Sequence, residues 1–341
     1  MSLKFVLIFS IFFTIDSVLK DTSFLTISAV GDIMMGSDYP TPLLPPDSGK
    51  SLFKYVKNHL KADIIFGNLE GVFAPKSFKP AKKFIPGKKY VFRMPPFLVS
   101  RLKEAGFNLI SLANNHSFDF GYKGYKFTKN LLEKNGIKTG GKDTFAILQI
   151  KGLKIGFIDF STYDVHNNIL REKKAIKLIK KVDSLVDILI ISVHGGREGS
   201  PYVLKEGMEY YLGEKRGNLY KFSHLAIDNG ADIVLCHGPH VVRGLEVYKN
   251  RIIAYSLGNF CTYKRFRVSG IFGKSMILKL WVNKSGEFIL GEIIPVYLNL
   301  RGGIPVCMDS AKAVNFYKYI EKLSSRIDTT LKFRNYPYIE R

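Results

Sequence analysis

Residues 111–121, with the sequence SLANNHSFDFG, constrain this chain more than any other stretch. They follow an apolar run, residues 107–112, that predicts a buried strand, and they precede a helical pattern over residues 124–134. A polar cluster therefore lies where a predicted strand ends and a helix begins. Ligands of open α/β sheets bind in the crevice beyond the carboxyl ends of the strands. The pattern predicts an α/β fold with a functional site at a sheet edge.

Other predicted strands end in the same kind of side chain. Strands predicted at residues 24–30, 63–66, 186–193 and 232–236 lead to Asp32, Glu70, His194, and the pair His237 and His240. Carboxylate, amide and imidazole ligands together suit Zn, Mn or Fe, whereas calcium prefers an all-oxygen shell. Each turn alone could be an ordinary hydrogen-bonded turn, such as a helix capped by Asp. Their repetition favours one shared site for one or two divalent transition-metal ions.

Two other catalytic designs lack their sequence signatures. The chain has no G-x-S-x-G elbow for a serine hydrolase and no G-x-x-x-x-G-K-[ST] loop for a nucleotide. Two metals close together can activate water and hold both oxygens of a phosphoryl displacement. The residues therefore favour metal-assisted chemistry on a phosphate-containing substrate.

The charge of the chain raises the question of an anionic partner. The 341 residues carry a net charge of +22, with 46% hydrophobic residues, which is ordinary for a globular core. Lysines recur along the whole chain and no nucleic-acid motif is present, so nucleic acid is not an expected partner. A loop at residues 76–89 holds six lysines. It is either a solvated surface or a clamp for an anionic polymer or phosphate group.

Three segments are predicted along the chain. Lys4 precedes an apolar run at residues 5–15, which is too short to span a bilayer but fits a signal peptide. We therefore predict that residues 1–20 are a signal peptide or an N-terminal anchor that associates with the membrane. Export to the cell envelope, on the periplasmic or extracellular face, follows from this. Residues 24–300 are the predicted main domain, and residues 301–341 are a helix followed by a basic tail without a regular pattern.

Local patterns predict further elements in the main domain. Apolar residues at helical spacing predict a helix over residues 52–60, and a second helix over residues 169–182 is amphipathic and basic. No C-x-x-C pair occurs, so the three cysteines are expected to be small buried apolar residues.

Seven segments in order resemble one known family. They are AVGDIMMG, IIFGNLEG, YVFRMPP, SLANNHSFDFG, HGGREGS, HGPHVVRGLEVY and IIAYSLGNF, and the resemblance covers residues 25–297. This pattern is similar to the CapA family of capsule and poly-γ-glutamate biosynthesis proteins, which resembles a branch of the calcineurin-like metallophosphatases. The resemblance implies a four-layer α-β-β-α sandwich of the metallophosphatase kind, with metal above the sheet edges.

The resemblance also implies roles for particular residues. The metal ligands would be Asp32, Glu70, Asn115, His194, His237 and His240, with Glu70 bridging. His116 would donate a proton or stabilise charge, and Arg197 and Glu198 would orient substrate or support the ligands. The chain also departs from the family pattern. Met34 stands where metallophosphatases usually place a histidine, Glu70 replaces an aspartate, and Cys236 replaces a common glycine.

These observations lead to two main hypotheses. The first is a metal-dependent, phosphoesterase-like hydrolase that acts at the cell envelope with other capsule-synthesis proteins. The second is a non-catalytic export or assembly component that binds a polyanion, and the Met34 substitution favours it. Nucleic-acid binding through charge alone is a third and weaker reading.

Overall fold

The computed structural model describes residues 15, 17–87, 89–299, 301–334 and 336–340. The strands, in chain order, are β1 (Leu25–Met34), β2 (Ile64–Leu69), β3 (Val72–Phe73), β4 (Arg93–Met94), β5 (Leu109–Ser111), β6 (Lys138–Thr139), β7 (Ala146–Ile150), β8 (Leu153–Ser161), β9 (Asn167–Asn168), β10 (Ile188–His194), β11 (Glu209–Tyr211), β12 (Glu214–Gly217), β13 (Ile233–His237), β14 (Leu245–Tyr248), β15 (Arg251–Ala254), β16 (Asn259–Thr262), β17 (Lys274–Val282), β18 (Phe288–Leu298), β19 (Pro305–Cys307), β20 (Lys332–Arg334) and β21 (Tyr338–Glu340). The α-helices are α1 (Val99–Ala105), α2 (Gly121–Lys134), α3 (Glu172–Asp183), α4 (Leu219–Asp228) and α5 (Ser310–Ser324).

Two mixed sheets form the centre of the molecule. The first has the strand order β20-β21-β18-β17-β1-β2-β5-β6, with β16 also paired to β1 and β19 to β18. The second has the order β14-β15-β13-β10-β8-β7, with β9 paired to β8. The strands that carry the predicted site run parallel within each sheet, β1 beside β2 and β10 beside β13. Their carboxyl ends therefore lie at one edge of each sheet.

Three apolar layers hold the sheets and helices together. The middle layer joins the two sheets, and in it the rings of Phe66 and Phe157 lie 5.8 Å apart. An outer layer packs Leu102 of α1 and Leu132 of α2 on the first sheet. A second outer layer packs Ile179 of α3, with residues of α4, on the other sheet. The layers confirm the predicted four-layer α-β-β-α sandwich.

Three local predictions were wrong. Strand β1 runs on to Met34, so Asp32 lies inside the strand and not after it. Residues 52–60 form successive turns that end in a 3₁₀ helix, Lys57–His59. Leu52 and Val56 are buried there, so the apolar spacing indicates burial without an α-helix. The C-terminal tail adds β20 and β21 to the first sheet, because pairing with β18 supplies the order that the local sequence lacks.

The predicted export segment falls mostly outside the described residues, which omit residues 1–14 and 16. Among the residues that are described, no helix has the length and apolarity needed to cross a bilayer. All three cysteines are free thiols, and Cys236 and Cys261 are buried as expected while Cys307 is half-buried.

Candidate metal centre

The predicted ligands meet where the carboxyl ends of the two sheets face each other. Asp32 and Glu70 come from the first sheet, while His194 and His237 are the last residues of β10 and β13 in the second. His240 follows three residues after His237. We call these five residues the strand-end cluster. Sequence positions more than 200 residues apart, Asp32 and His240, lie 2.9 Å apart through the carboxylate Oδ2 and the imidazole Nδ1.

Asp32 is the centre of this arrangement. It is 1% exposed, and its Oδ1 lies 3.4 Å from Nδ1 of His237 and accepts a hydrogen bond of 2.8 Å from Nδ2 of Asn68. Burial opposes ionisation of this carboxyl. The hydrogen bond with His240 and the nearby ring of His237 outweigh it and hold the pKa of Asp32 well below its usual range. The carboxylate is therefore ionised at all physiological pH values.

Glu70 has a different environment. Its carboxylate is buried, and neither oxygen has a hydrogen-bond partner among the residues that the structure describes. The nearest bases are Nε2 of His194 at 3.8 Å and Nδ1 of His240 at 3.7 Å. Burial, together with the charge of Asp32, raises the pKa of Glu70 to about 8. A buried carboxylate without a partner is costly, so this position is suited to a cation.

Two histidines of the cluster also lack hydrogen-bond partners. Within the described part of the chain, both ring nitrogens of His194 and both of His237 are buried without a hydrogen-bond partner. Burial, with the nearby charge of Arg216, holds the pKa of His194 well below its usual value. His194 is therefore a neutral imidazole, which is the form that binds metals. For His240, burial acts downward, but Glu70 and Asp32 raise its pKa to about 10.

A tight loop after β13 positions His237 and His240. Gly238 has φ of 108°, and a Cβ there would lie 2.5 Å from the carbonyl oxygen of Gly195. The loops after β10 and β13 can therefore touch only because glycine stands at this position. His240 adopts a left-handed backbone, with φ of 58°, which is uncommon outside glycine and recurs at functional sites.

The donor set fits a divalent transition metal. One oxygen or nitrogen each from Asp32, Glu70 and His240 lie within 4.8 Å of one another. The unpartnered nitrogens of His194 and His237 lie beside the same carboxylates. Buried polar groups in folded proteins are nearly always paired, so this set of unpaired donors and acceptors fits a bound cation. Mixed nitrogen and oxygen ligands suit Zn, Mn or Fe.

The Asn-Asn-His turn reaches the cluster through amides that the sequence did not single out. Nδ2 of Asn114 donates to Oδ1 of Asn68 at 3.0 Å, and Asn68 in turn donates to Asp32. The next residue, Asn115, has a buried Oδ1 without a partner. The chain of hydrogen bonds positions this turn beside Asp32, and the amide oxygen of Asn115 is free to act as a ligand.

His116 is oriented by a carboxylate that the sequence analysis left without a role. Nδ1 of His116 lies 2.9 Å from Oδ2 of the fully buried Asp119. Asp119 also accepts hydrogen bonds from the backbone of Phe92 and from Nζ of Lys82. Because Nδ1 is engaged, Nε2 is the nitrogen of His116 left for a reacting group. Lys82 anchors the predicted basic loop to this turn, since it also donates to the carbonyl of Asn115.

Arg197 and Glu198 lie in the loop after β10. The side chain of Arg197 is exposed, and only its backbone is held, by hydrogen bonds with Glu209 and Arg243. Glu198 lies 3.7 Å from Arg216, which is 1% exposed. Arg216 comes from β12, outside every segment that suggested a site. Its burial beside His194 makes it a fixed positive charge, and no local sequence motif predicted it.

His166 was also left without a role by the sequence analysis. It is 4% exposed, and its ring bridges Oγ of Ser117 at 2.8 Å and Oγ of Ser161 at 2.9 Å. Ser117 already donates to the carbonyl of Asn114, so it accepts from Nε2–H of His166. Burial lowers the pKa of His166 to about 3. A neutral histidine therefore joins the Asn-His turn to the end of β8.

The structure shows where two of the residues that differ from the family pattern lie. Met34 is fully buried and offers no nitrogen or oxygen to the cluster. Cys236 is buried beside Ser223, and burial raises the pKa of its thiol to about 12. Cys236 is therefore a core side chain and not a reactive thiol.

Comparison with known proteins identifies relatives. Residues 26–264 match the family described as bacterial capsule synthesis protein PGA_cap. The chain is 28% identical to the PGA biosynthesis protein CapA of Bacillus subtilis, over 88% of this chain and 79% of that protein. It is 27% identical to the capsule biosynthesis protein CapA of Bacillus anthracis, over 90% and 75%. These alignments span both sheets.

Among solved structures, the chain is similar to a 5'-nucleotidase precursor from Thermus thermophilus, with a TM-score of 0.40 and 12% identity. That match covers 80% of this chain and 54% of the nucleotidase, so the chain spans about half of its length. The family match, by contrast, extends over most of the chain and includes every residue of the strand-end cluster. The chain belongs to the CapA-like family of bacterial capsule synthesis proteins.

Proposed function

We propose that this protein is a metal-dependent, phosphoesterase-like hydrolase of the capsule machinery. The observation that carries the proposal is the strand-end cluster, in which the carboxylate of Glu70 and the ring nitrogens of His194 and His237 converge without hydrogen-bond partners among the described residues. A binding protein that needs no metal gains nothing from such a cluster, because each unpaired buried polar group destabilises the fold by about 1–3 kcal/mol.

Asp32, Glu70, Asn115, His194, His237 and His240 would hold one or two ions of Mn, Zn or Fe. Glu70 lies between His194 and His240, so it is the residue best placed to bridge. A divalent cation bound there would polarise a phosphoryl oxygen and increase the acidity of water. The low pKa of Asp32 keeps one anionic ligand available at every physiological pH.

His116 would act on the leaving group. Its Nδ1 faces Asp119, and this contact fixes the ring and leaves Nε2 to carry a proton toward the leaving oxygen. The ring also packs on Phe92, with centroids 4.4 Å apart, which limits its rotation. Asp119 is then a positioning residue.

Two arginines would serve different parts of the substrate. Arg216 is buried, with Nε donating to the carbonyl of Gly196 at 3.0 Å, and its positive charge would favour an anionic substrate near the cluster. Glu198 would hold Arg216 in place. The exposed guanidinium of Arg197 would contact phosphate at the entrance, where bidentate hydrogen bonds favour arginine over lysine.

The setting would be the cell envelope. A net charge of +22 supports an anionic polymer or polymer-linked phosphate as substrate. The printed names of the relatives add capsule and PGA biosynthesis, so other capsule-synthesis proteins are the proposed partners. Residues 1–20 would direct export or anchor the chain.

Hydrolysis of bis(p-nitrophenyl) phosphate by the full chain tests the proposal. Metal-stripped protein should gain activity with Mn²⁺ or Zn²⁺. His116→Ala should lower kcat by about 10²–10⁴, the range for a lost general acid. The exposed His59 supplies a matched control, since His59→Ala should leave the rate unchanged. Metal binding without turnover of this ester or of a panel of phosphate monoesters would contradict the proposal.

A further inference from the structure

A groove lies on the outer face of the second sheet, apart from the strand-end cluster. It consists of a cavity of about 650 Å³ at the start of α4 and one of about 520 Å³ along α3. The two cavities share Asp164, Asn168 and Arg171, so they form one continuous depression. We call it the helix groove.

The helix groove is strongly basic. In the cavity along α3 only Asp143 and Asp164 bring negative charge, and the cations there are Lys142, Arg171, Lys174, Lys177 and Lys181. The other cavity adds Lys215 and Lys221 and one carboxylate, Glu172, which pairs with Lys221. Cations therefore outnumber carboxylates along the full length of the depression, and the groove attracts anions.

Three of these lysines have no counter-ion. Lys174, Lys177 and Lys181 are exposed, and none has an ion-pair partner among the residues that the structure describes. Their i, i+3, i+7 spacing puts them in one row about 10 Å long on α3. A row of free ammonium groups matches a ligand whose negative charges also recur along a line.

Other groups in the groove are ready to change partners. The ion pair between Arg171 and Asp164 is exposed on both sides, so it is weak and can exchange for an external carboxylate. Thr162 lines the cavity at the start of α4. The exchangeable guanidinium of Arg171 supplies the groove with a contact for an anionic ligand.

One segment, residues 162–168, separates the groove from the strand-end cluster. His166 lines the groove and hydrogen-bonds to Ser117 in the Asn-His turn. On the same segment, the hydroxyl of Tyr163 accepts a hydrogen bond of 3.0 Å from Nη1 of Arg216. A ligand in the groove therefore lies one layer of protein away from the proposed catalytic groups.

We propose that the helix groove binds an extended acidic polymer, a chain of recurring carboxylates, and holds it beside the strand-end cluster. The proposed function supplies the identity of the polymer, poly-γ-glutamate, while the groove itself is inferred from its shape and charge. This assigns polyanion binding to α3, which is a different place from the basic loop at residues 76–89.

The shape of the groove favours a polymer over a membrane or a nucleic acid. The apolar side of α3, Ala175, Ile179 and Val182, is buried against the sheet, so no apolar face is left to enter lipid. A concave channel fits a thin chain better than a flat bilayer. The sequence also carries no nucleic-acid recognition motif.

Charge reversals on one helix test the proposal. K174E/K181E changes two lysines that line the groove. K173E/K180E changes two exposed lysines at the same i, i+7 spacing that do not line it. We expect K174E/K181E to weaken binding of fluorescein-labelled poly-γ-glutamate to the full chain at least tenfold, by anisotropy at moderate salt. K173E/K180E should weaken it less than threefold.

Several results would overturn the proposal. Equal losses in the two double variants would show diffuse electrostatic attraction, and no loss in either would place the polymer elsewhere. Vesicles with phosphatidylserine and a short DNA duplex serve as competing probes. Groove-dependent binding of either probe, with no binding of the polymer, would identify a lipid or nucleic-acid surface instead.

The groove and the hydrolase proposal can fail separately. His194→Ala should lose metal and keep polymer affinity, while K174E/K181E should keep its metal content and its hydrolysis of the small ester. If wild type does not hydrolyse the ester but K174E/K181E still weakens polymer binding, the hydrolase proposal is wrong and the groove proposal stands.

Discussion

Two clusters in this protein each contain a buried glutamate and histidine, but they differ in whether the glutamate is hydrogen-bonded. In one, both oxygens of Glu246 lie 3.0 Å from Nε2 of His224, and the hydroxyl of Tyr255 donates to Oε2 at 2.5 Å. In the strand-end cluster, both oxygens of Glu70 lack any partner. Each cluster sets a buried glutamate beside histidine, so that pairing alone does not separate a structural cluster from a functional one.

Hydrogen-bond satisfaction is what differs between the two clusters. The Glu246 cluster is complete, and we expect it to stabilise the fold without a ligand. The strand-end cluster leaves buried donors and acceptors open, among them the ring nitrogens of His194 and His237. Open groups of this kind destabilise the metal-free fold and favour metal binding. Matched substitutions in the two clusters test whether this difference in hydrogen bonding decides metal binding.

The largest expected effect is stabilisation by metal. Mn²⁺ or Zn²⁺ at about 1,000 times its Kd should raise the free energy of unfolding of metal-stripped protein by about 4 kcal/mol. Glu70→Gln should remove most of this gain, whereas Glu246→Gln should retain it. Urea unfolding followed by circular dichroism measures both. An equal gain in stability in the two variants would show that Glu70 has no special role in metal binding.

Without metal, the order of the two carboxylates should reverse. Glu246→Ala should lower the free energy of unfolding by about 3 kcal/mol, because it leaves His224 and Tyr255 without their buried partner. Glu70→Gln should change it by less than about 1 kcal/mol, since no hydrogen bond is lost. Urea titration in the presence of a chelator separates these values, and similar costs for both would count against the account.

A third buried histidine predicts a response to acid. His166 has its pKa lowered to about 3 from 6.5, so its contribution to stability is complete above pH 6.5 and is lost as the pH falls toward 3. At pH 5 the loss should reach about 2 kcal/mol. His166→Gln should flatten this part of the stability profile. An unchanged slope between pH 7 and pH 5 would show that His166 is not held neutral.

The smallest expected effect concerns an amide next to the cluster. Asn68 donates to Asp32 and accepts from Asn114. Asn68→Ala should weaken metal affinity about tenfold, the lower end of the range for residues that orient ligands. Isothermal titration with Mn²⁺ measures the change, and Asn315→Ala, on the exposed side of α5, is the control. No difference between the two would remove Asn68 from the site.

Part of the site could be predicted because four of the proposed ligands stand at or beside the carboxyl ends of buried strands. Asp32, Glu70, His194 and His237 fall there, and parallel strands put such ends at one edge. The four-layer fold followed from the resemblance and was confirmed. The roles of the ligands, and the division at residues 20, 24, 300 and 301, remain predictions.

The rest depended on long-range contacts that no local pattern encodes. Arg216 is on a short strand far along the chain from the motifs, yet its side chain is buried next to them. His166 looked like a loop residue and became a buried bridge between Ser117 and Ser161. Residues 52–60 showed helical spacing but form turns, because burial of Leu52 and Val56 needs only the spacing.

Metal content tests the central claim most directly. Full-length wild type, an Asp32→Ala, His194→Ala double variant and Glu246→Gln should be incubated with Mn²⁺ and Zn²⁺, desalted and measured by elemental analysis. We expect about one to two equivalents of metal in wild type and in Glu246→Gln, and almost none in the double variant. No metal in wild type, or equal metal in all three proteins, would contradict it.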